Sequence, residues 1–352
     1  MKRIFRFAFM AMLSLFFTAC ETGGGGETPG GGEELVGVYY VLNSGDWKSN
    51  NSSLTKYDGV TGKVTQFCFE QQNGRGLGNT ANDIVAYGSK MYIAVAGEST
   101  IEVTDLNAKS IKQIKCDAQP RYLATAGGKV YISYYDGYVA RLDTTVLEVE
   151  AKVAVGRNPE QLAVVGNRLY VANSGGMDYN TPVGYDKTVS VVDLNSFEEI
   201  KRLDVVLNPS VLVPCKYGLF VASYGNYADV PSTLQYIDVA NDAVSVVEKC
   251  QNMTELCYNH DALYGFCTQY DNDWNSVTTY ISYDIASGVV ETPWIKENVL
   301  PVPYKVCSVD VYVCVTSSDY VNDGDVYVYD VDGMLVRKIA AGLNPVKMVK
   351  AE

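Results

Sequence analysis

Residues 159–205 read PEQLAVVGNRLYVANSGGMDYNTPVGYDKTVSVVDLNSFEEIKRLDV, and this stretch decides the fold. Its apolar and polar residues alternate in four short runs, the period expected of half-buried strands. Pro159 to Val165 reads as strand A, Arg168 to Asn173 as B, Thr188 to Asp193 as C and Phe197 to Val205 as D. Gly166-Asn167 joins A to B, as Gly127-Gly128 does elsewhere; both residue types accept the positive φ of tight hairpin turns. The same unit recurs seven times. B strands centre on Tyr39, Tyr92, Tyr131, Tyr170, Phe220, Tyr264 and Tyr312, and C strands end on Asp58, Asp105, Asp143, Asp193, Asp238, Asp284 and Asp330. Successive aspartates lie 38 to 50 residues apart with no long helical pattern between them. That predicts an all-β, seven-bladed β-propeller with four antiparallel strands per blade.

Spacing also separates scaffold from loops. From each aspartate to the next aromatic centre the count is 26 to 28 residues in five of six intervals. From aromatic centre to aspartate it swings between 12 and 23. The variable part is the B–C loop. Strands alternate in direction, so B–C loops and D–A connections share one face, where binding residues are expected. The aspartates themselves precede turn formers (Gly59, Asn107, Asn195, Gly288) and are read as caps of the C–D turn rather than as catalytic groups. Closure is legible as well. Gly342-Leu343-Asn344-Pro345-Val346-Lys347 repeats the Gly156-Arg157-Asn158-Pro159 approach to strand A, yet no B strand follows it. Leu35 to Asn43 supplies the missing B strand and Leu54 to Asp58 the C strand. The ring should close through a blade shared between N- and C-terminal strands, leaving no free sheet edge.

The first 34 residues read differently. Lys2, Arg3 and Arg6 precede a short apolar run from Phe7 to Phe17, too short to span a bilayer. Phe17-Thr18-Ala19-Cys20 resembles a bacterial lipoprotein box, which implies a signal peptide at 1–19 and lipidation of Cys20. Glycines and acids at 20–34 form a flexible tether, and 35–352 is a single propeller domain. Acids soon after the cysteine resemble surface-export signals, so an outer-membrane lipoprotein exposed at the cell surface is expected. Loss of the three basic leader residues takes the formal charge from −13 to −16. Nucleic acid is excluded as a partner, since phosphate binding needs a basic stripe; cationic or neutral ligands suit the chain.

Most familiar catalytic constellations are missing. His260 is the one histidine, on an A–B turn away from the loop face, so a nucleophile–histidine site would have to lie there, away from the cleft, and multi-histidine zinc sites are ruled out. Eight cysteines follow Cys20 without a C-x-x-C pair and read mostly as small buried hydrophobes. Asp271-Asn272-Asp273 and Asn322-Asp323-Gly324-Asp325 could ligate calcium or simply turn the chain. Loop acids (Asp178, Asp186, Asp229, Asp271, Asp319) leave a carboxylate hydrolase open, but none stands out as a pair. No enzyme, metal or cofactor is expected. The positive signal is aromatic: Trp47, Trp274, Trp294, Tyr135, Tyr179, Tyr185, Tyr224, Tyr227, Tyr270 and Tyr320 map to the loop face, several among Gly, Asn and Asp. Arg75, Arg121 and Arg157 join them as candidates, having no obvious duty in the backbone.

Asn158 to Val164, Leu169 to Gly176, Tyr185 to Asp193 and Ser223 to Tyr227 together resemble the YncE-like propellers of gut Bacteroidota lipoproteins, which carry the domain DUF5074. The resemblance spans 35–352. One branch of that group captures vitamin B12 (cobalamin) and hands it to a TonB-dependent transporter. It therefore implies a corrinoid ligand on the loop face, with a transporter as partner; a glycan-binding or protein-interaction module of another uptake system is the alternative. No motif transfers individual contacts.

Overall fold

The computed structural model describes residues 35–351 apart from Lys48, 271–275 and Pro301. Residues 1–34, on which the expected signal peptide, lipidated Cys20 and tether fall, lie outside the described residues, as do Trp274 and the Asp271-Asn272-Asp273 cluster.

Seven four-stranded antiparallel sheets form the ring. Blade 1 takes strand A from Pro345–Ala351, B from Val38–Asn43, C from Ser53–Asp58 and D from Lys63–Thr65. Closure through both termini is thus as expected, with Tyr40 opposite Val349 and Val41 opposite Met348. Strands A of blades 2 to 7 are Ala81–Tyr87, Pro120–Ala126, Pro159–Val165, Pro209–Cys215, Glu255–Asn259 and Pro303–Val309. Each A strand neighbours the next around the axis. Between blades lie apolar cores; the one at the closure holds Tyr39, Val41, Cys307, Cys314 and Met348.

All seven repeat aspartates do the work read from sequence. Each accepts backbone N–H groups of its own C–D turn, for example Asp58 from Val60 and Thr61, Asp143 from Thr145 and Val146, and Asp330 from Asp332 and Met334. His260 is exposed on the blade 6 A–B turn, and all eight described cysteines are free, seven of them buried.

Three features depart from the repeat. A short helix, Cys68–Asn73, interrupts the approach to blade 2 and buries Cys68 and Phe69. In blade 6 the extra B–C length is spent mainly on hairpin: Ala262–Tyr270 pairs with Ser276–Asp284 over nine positions. Strand D of that blade shrinks to Val290–Glu291, and Trp294 fills the space beside it. Expected on the loop face, Trp294 is instead 0% exposed. It packs 5.0 Å from Tyr264 and 5.8 Å from Tyr329, and its Nε1 donates to the Val331 carbonyl. A large ring compensates for a shortened strand, which the spacing of the repeat did not reveal.

A tyrosine-collared candidate site at the axial mouth

The A strands enclose an axial cavity of about 540 Å³, lined at its B–C end by the first residues of those strands. Its polar lining follows from a backbone device. In six blades the A–B register shifts within the first residues of strand A. Such bulges re-aim side chains and are common beside sites. Consecutive residues therefore reach the cavity together: Asn82 with Asp83, Arg121 with Tyr122, Tyr304 with Lys305, Val346 with Lys347. N–H groups freed by the bulge find side chains: Tyr122 N donates to Ser133 Oγ and Lys305 N to Thr316 Oγ1, each at 3.0 Å.

Charges at the mouth come in pairs. Arg121 Nη2 meets Glu160 Oε2 at 2.7 Å between blades 3 and 4, Lys305 meets Glu255 at 2.6 Å between 7 and 6, and Lys347 meets Asp83 at 2.8 Å between 1 and 2. Burial pulls the Arg121 guanidinium down, but Glu160 and the rings of Tyr122 and Tyr135 more than offset it and hold it above its ordinary value. Burial works the other way on Glu160, lifting its carboxyl above the usual range, with Arg121 offsetting part of the rise. Lys305 is likewise opposed by burial and held well up by Glu255 and Tyr224. Tyr224 donates to Glu255 at 2.8 Å. Three acids face three bases, so the floor is neutral although the chain is strongly acidic.

Tyrosines form a collar above this floor. Arg121 lies 4.4 Å from the Tyr135 ring centroid, a cation–π contact. Tyr185 packs edge-on to Tyr227 and Tyr304 to Tyr320. Tyr227 and Tyr320 are 75% and 63% exposed, and both adopt left-handed backbone, φ 56° and 63°. Each follows a residue whose side chain builds its loop. Asn226 Oδ1 accepts from Ala228 and Val230; Asp319 Oδ1 accepts from Val321 and Asn322. Left-handed backbone in a bulky residue costs about 1–3 kcal/mol and persists where the surroundings impose it. Neither ring gains burial in return.

Other candidates fall elsewhere. Arg75 does have a duty in the scaffold: it binds Glu102, whose side chain is buried, through both carboxylate oxygens at 2.9 Å and stacks on Phe69, neutralising a core carboxylate. Arg157 is held by Asp178 and Asp186 beside a second cavity of about 310 Å³ between blades 3 and 4. Tyr135 forms a wall of that cavity too. Trp47 (71% exposed) and Tyr179 stand on outer loops of the same face, and Tyr270 ends strand B of blade 6. Tyr122, Glu255, Tyr304, Lys305 and Lys347 were missed. Their shared signal is position: four of them occupy the first or second place after the proline that opens strand A. Among the described residues no three His, Cys, Asp or Glu side chains are grouped to hold a metal ion, and no helix is long and apolar enough to cross a membrane.

A family described as "Domain of unknown function (DUF5074)" matches residues 37–268. No curated protein matches the chain. Among solved structures, hydrazine synthase of Kuenenia stuttgartiensis superposes with a TM-score of 0.61 at 16% identity, over 73% of this chain and 85% of that one. The computationally designed protein Ika8 gives 0.59 at 13% over 89% and 92%. BamB from Moraxella catarrhalis gives 0.53 at 13% over 88% and 85%. At such identities these likenesses speak for the propeller fold alone.

Proposed function

The chain belongs to the DUF5074 family, and we propose that it is a non-catalytic capture module that holds a ligand over the axial mouth of its propeller. The observation that carries this reading is the pair Tyr227 and Tyr320. Two largely exposed rings stand on strained backbone, braced by Asx turns, beside a polar well, each with one edge-on tyrosine contact as its ring packing. Rigid tyrosines present contact area at small entropic cost, as in binding loops generally.

In its finer form the reading is a cell-surface outer-membrane lipoprotein, lipidated at Cys20, that takes up a corrinoid and passes it to a TonB-dependent transporter. What supports it is the resemblance of the repeat to YncE-like lipoproteins, together with a collar suited to a flat molecule bearing amide arms. Calorimetric titration of residues 35–352 with cyanocobalamin tests it. One-to-one saturable heat supports corrinoid capture. No heat at high micromolar ligand ends the vitamin reading, and titration with neutral oligosaccharides then tests the glycan alternative.

A further inference from the structure

We infer that the well beneath the collar takes an uncharged group carrying both hydrogen-bond donors and acceptors, a primary carboxamide or a hydroxyl, and rejects ions. This rests on the capture reading above. The unused valences of the floor support it. Gln161 Oε1 is occupied by Leu212 N at 3.0 Å, which leaves its Nε2 as a free donor on the cavity wall. Arg121, which lines the cavity, uses Nε and Nη2 on a single oxygen of Glu160, so its Nη1 remains open. Glu255 receives Tyr224 and Lys305 on Oε1 alone, leaving Oε2. The well therefore offers both open donors and an open acceptor.

Ions fare differently. Every floor charge already has its counter-ion. A ligand carboxylate would lose its water opposite Glu160 and Glu255, and an ammonium opposite Arg121 and Lys305, with no spare charge to compensate. A neutral amide or hydroxyl meets a matching atom whichever way it turns. The acidity of the whole chain would favour cations, but the floor cancels that preference where contact is made.

Gln161→Glu is the decisive variant, because it keeps the oxygen that binds Leu212 and replaces only the free NH₂. Two probes separate the sources of the chemistry: cyanocobalamin for amides and a neutral oligosaccharide for hydroxyls. For whichever binds, affinity should fall about tenfold or more in Gln161→Glu, since a donor facing the ligand becomes a repelling acceptor. The melting temperature should fall by only a few degrees, because Gln161 is part-exposed and the new carboxylate keeps water while the well is empty. Wild-type affinity should stay level between about 0.05 and 0.5 M salt, as a neutral partner requires, and a derivative with a carboxylate in place of the amide should bind about tenfold more weakly. If a probe binds, is lost in Tyr227→Gly, yet ignores Gln161→Glu and prefers the carboxylate, the collar reading stands and this inference falls. Binding by neither probe overturns both.

Discussion

Removing residues 345–352 should leave a chain that no longer folds cooperatively. The deletion takes away strand A of blade 1, which pairs with Val38–Asn43 at six positions. Loss of Met348, 1% exposed, forfeits about 2 kcal/mol of apolar burial. The backbone hydrogen bonds of the pairing contribute about 1 kcal/mol net each, so several kcal/mol go with them. Lys347 also leaves, and Asp83, which its ammonium holds at 2.8 Å, becomes a buried carboxylate short of one partner, at about 1–3 kcal/mol. The total, roughly 6–10 kcal/mol, is comparable with the whole stability of a typical domain, about 5–15 kcal/mol. Strand B would also be left as an open edge, inviting aggregation. Thermal unfolding followed by near- and far-ultraviolet circular dichroism should show a single transition for residues 35–352 and none for 35–344. A synthetic peptide of residues 341–352 should restore part of it. A truncated protein that melts in one step within a few degrees of the intact chain would refute the closure argument.

Further outcomes follow from individual contacts. Arg121→Met should lower stability by about 2–3 kcal/mol, because it strands the largely buried Glu160, while adding Glu160→Leu should recover most of the loss; denaturant titrations of the four proteins read this directly. Trp294→Ala opens a cavity between blades 6 and 7 worth about 3–5 kcal/mol. With about 0.7 kcal/mol/K of unfolding entropy for a domain of roughly 300 residues, that is a fall of about 5 °C in melting temperature, with ligand affinity unchanged. Lys129, joined by turn N–H groups, holds Asp143 down to about 2, and turn N–H groups hold Asp319 there, both below their ordinary 3.8. Their folded values are depressed, so their contribution is complete above about pH 4 and lost as pH falls towards 2. Acid unfolding of Asp143→Asn should accordingly be less steep in that window than that of the parent protein.

The fold was largely legible because its signals are local and repeated. A strand alternates, an aspartate caps the turn that follows it, and an Asn-Pro step opens strand A in three blades; each can be seen without knowing what packs against what. Even closure was readable, since an orphan A strand at one end and an orphan B strand at the other admit one solution. The site was half legible. Tyr227 and Tyr320 stand out among Asn, Asp and Gly, where a large ring has no evident packing duty. Arg75 and Trp294 misled for one reason. Glu102 lies 27 residues from Arg75 and Tyr264 lies 30 from Trp294, so the contact that explains each is invisible in its own neighbourhood. Tyr122, Tyr304 and Lys305 were hidden because an ideal strand would send neighbouring side chains to opposite faces. The bulge that brings both into the channel leaves little trace in composition.

The central claim is that the displayed tyrosines exist to hold a ligand. Calorimetry with cyanocobalamin on the Tyr227→Gly/Tyr320→Gly variant, run beside a thermal melt, tests it most directly. Glycine adopts both backbone conformations without strain, so the account expects an unchanged or slightly higher melting temperature together with loss of binding that the parent protein shows. A variant that binds as tightly as its parent, or one that melts well below it, would mean the two rings serve the scaffold and would contradict the account.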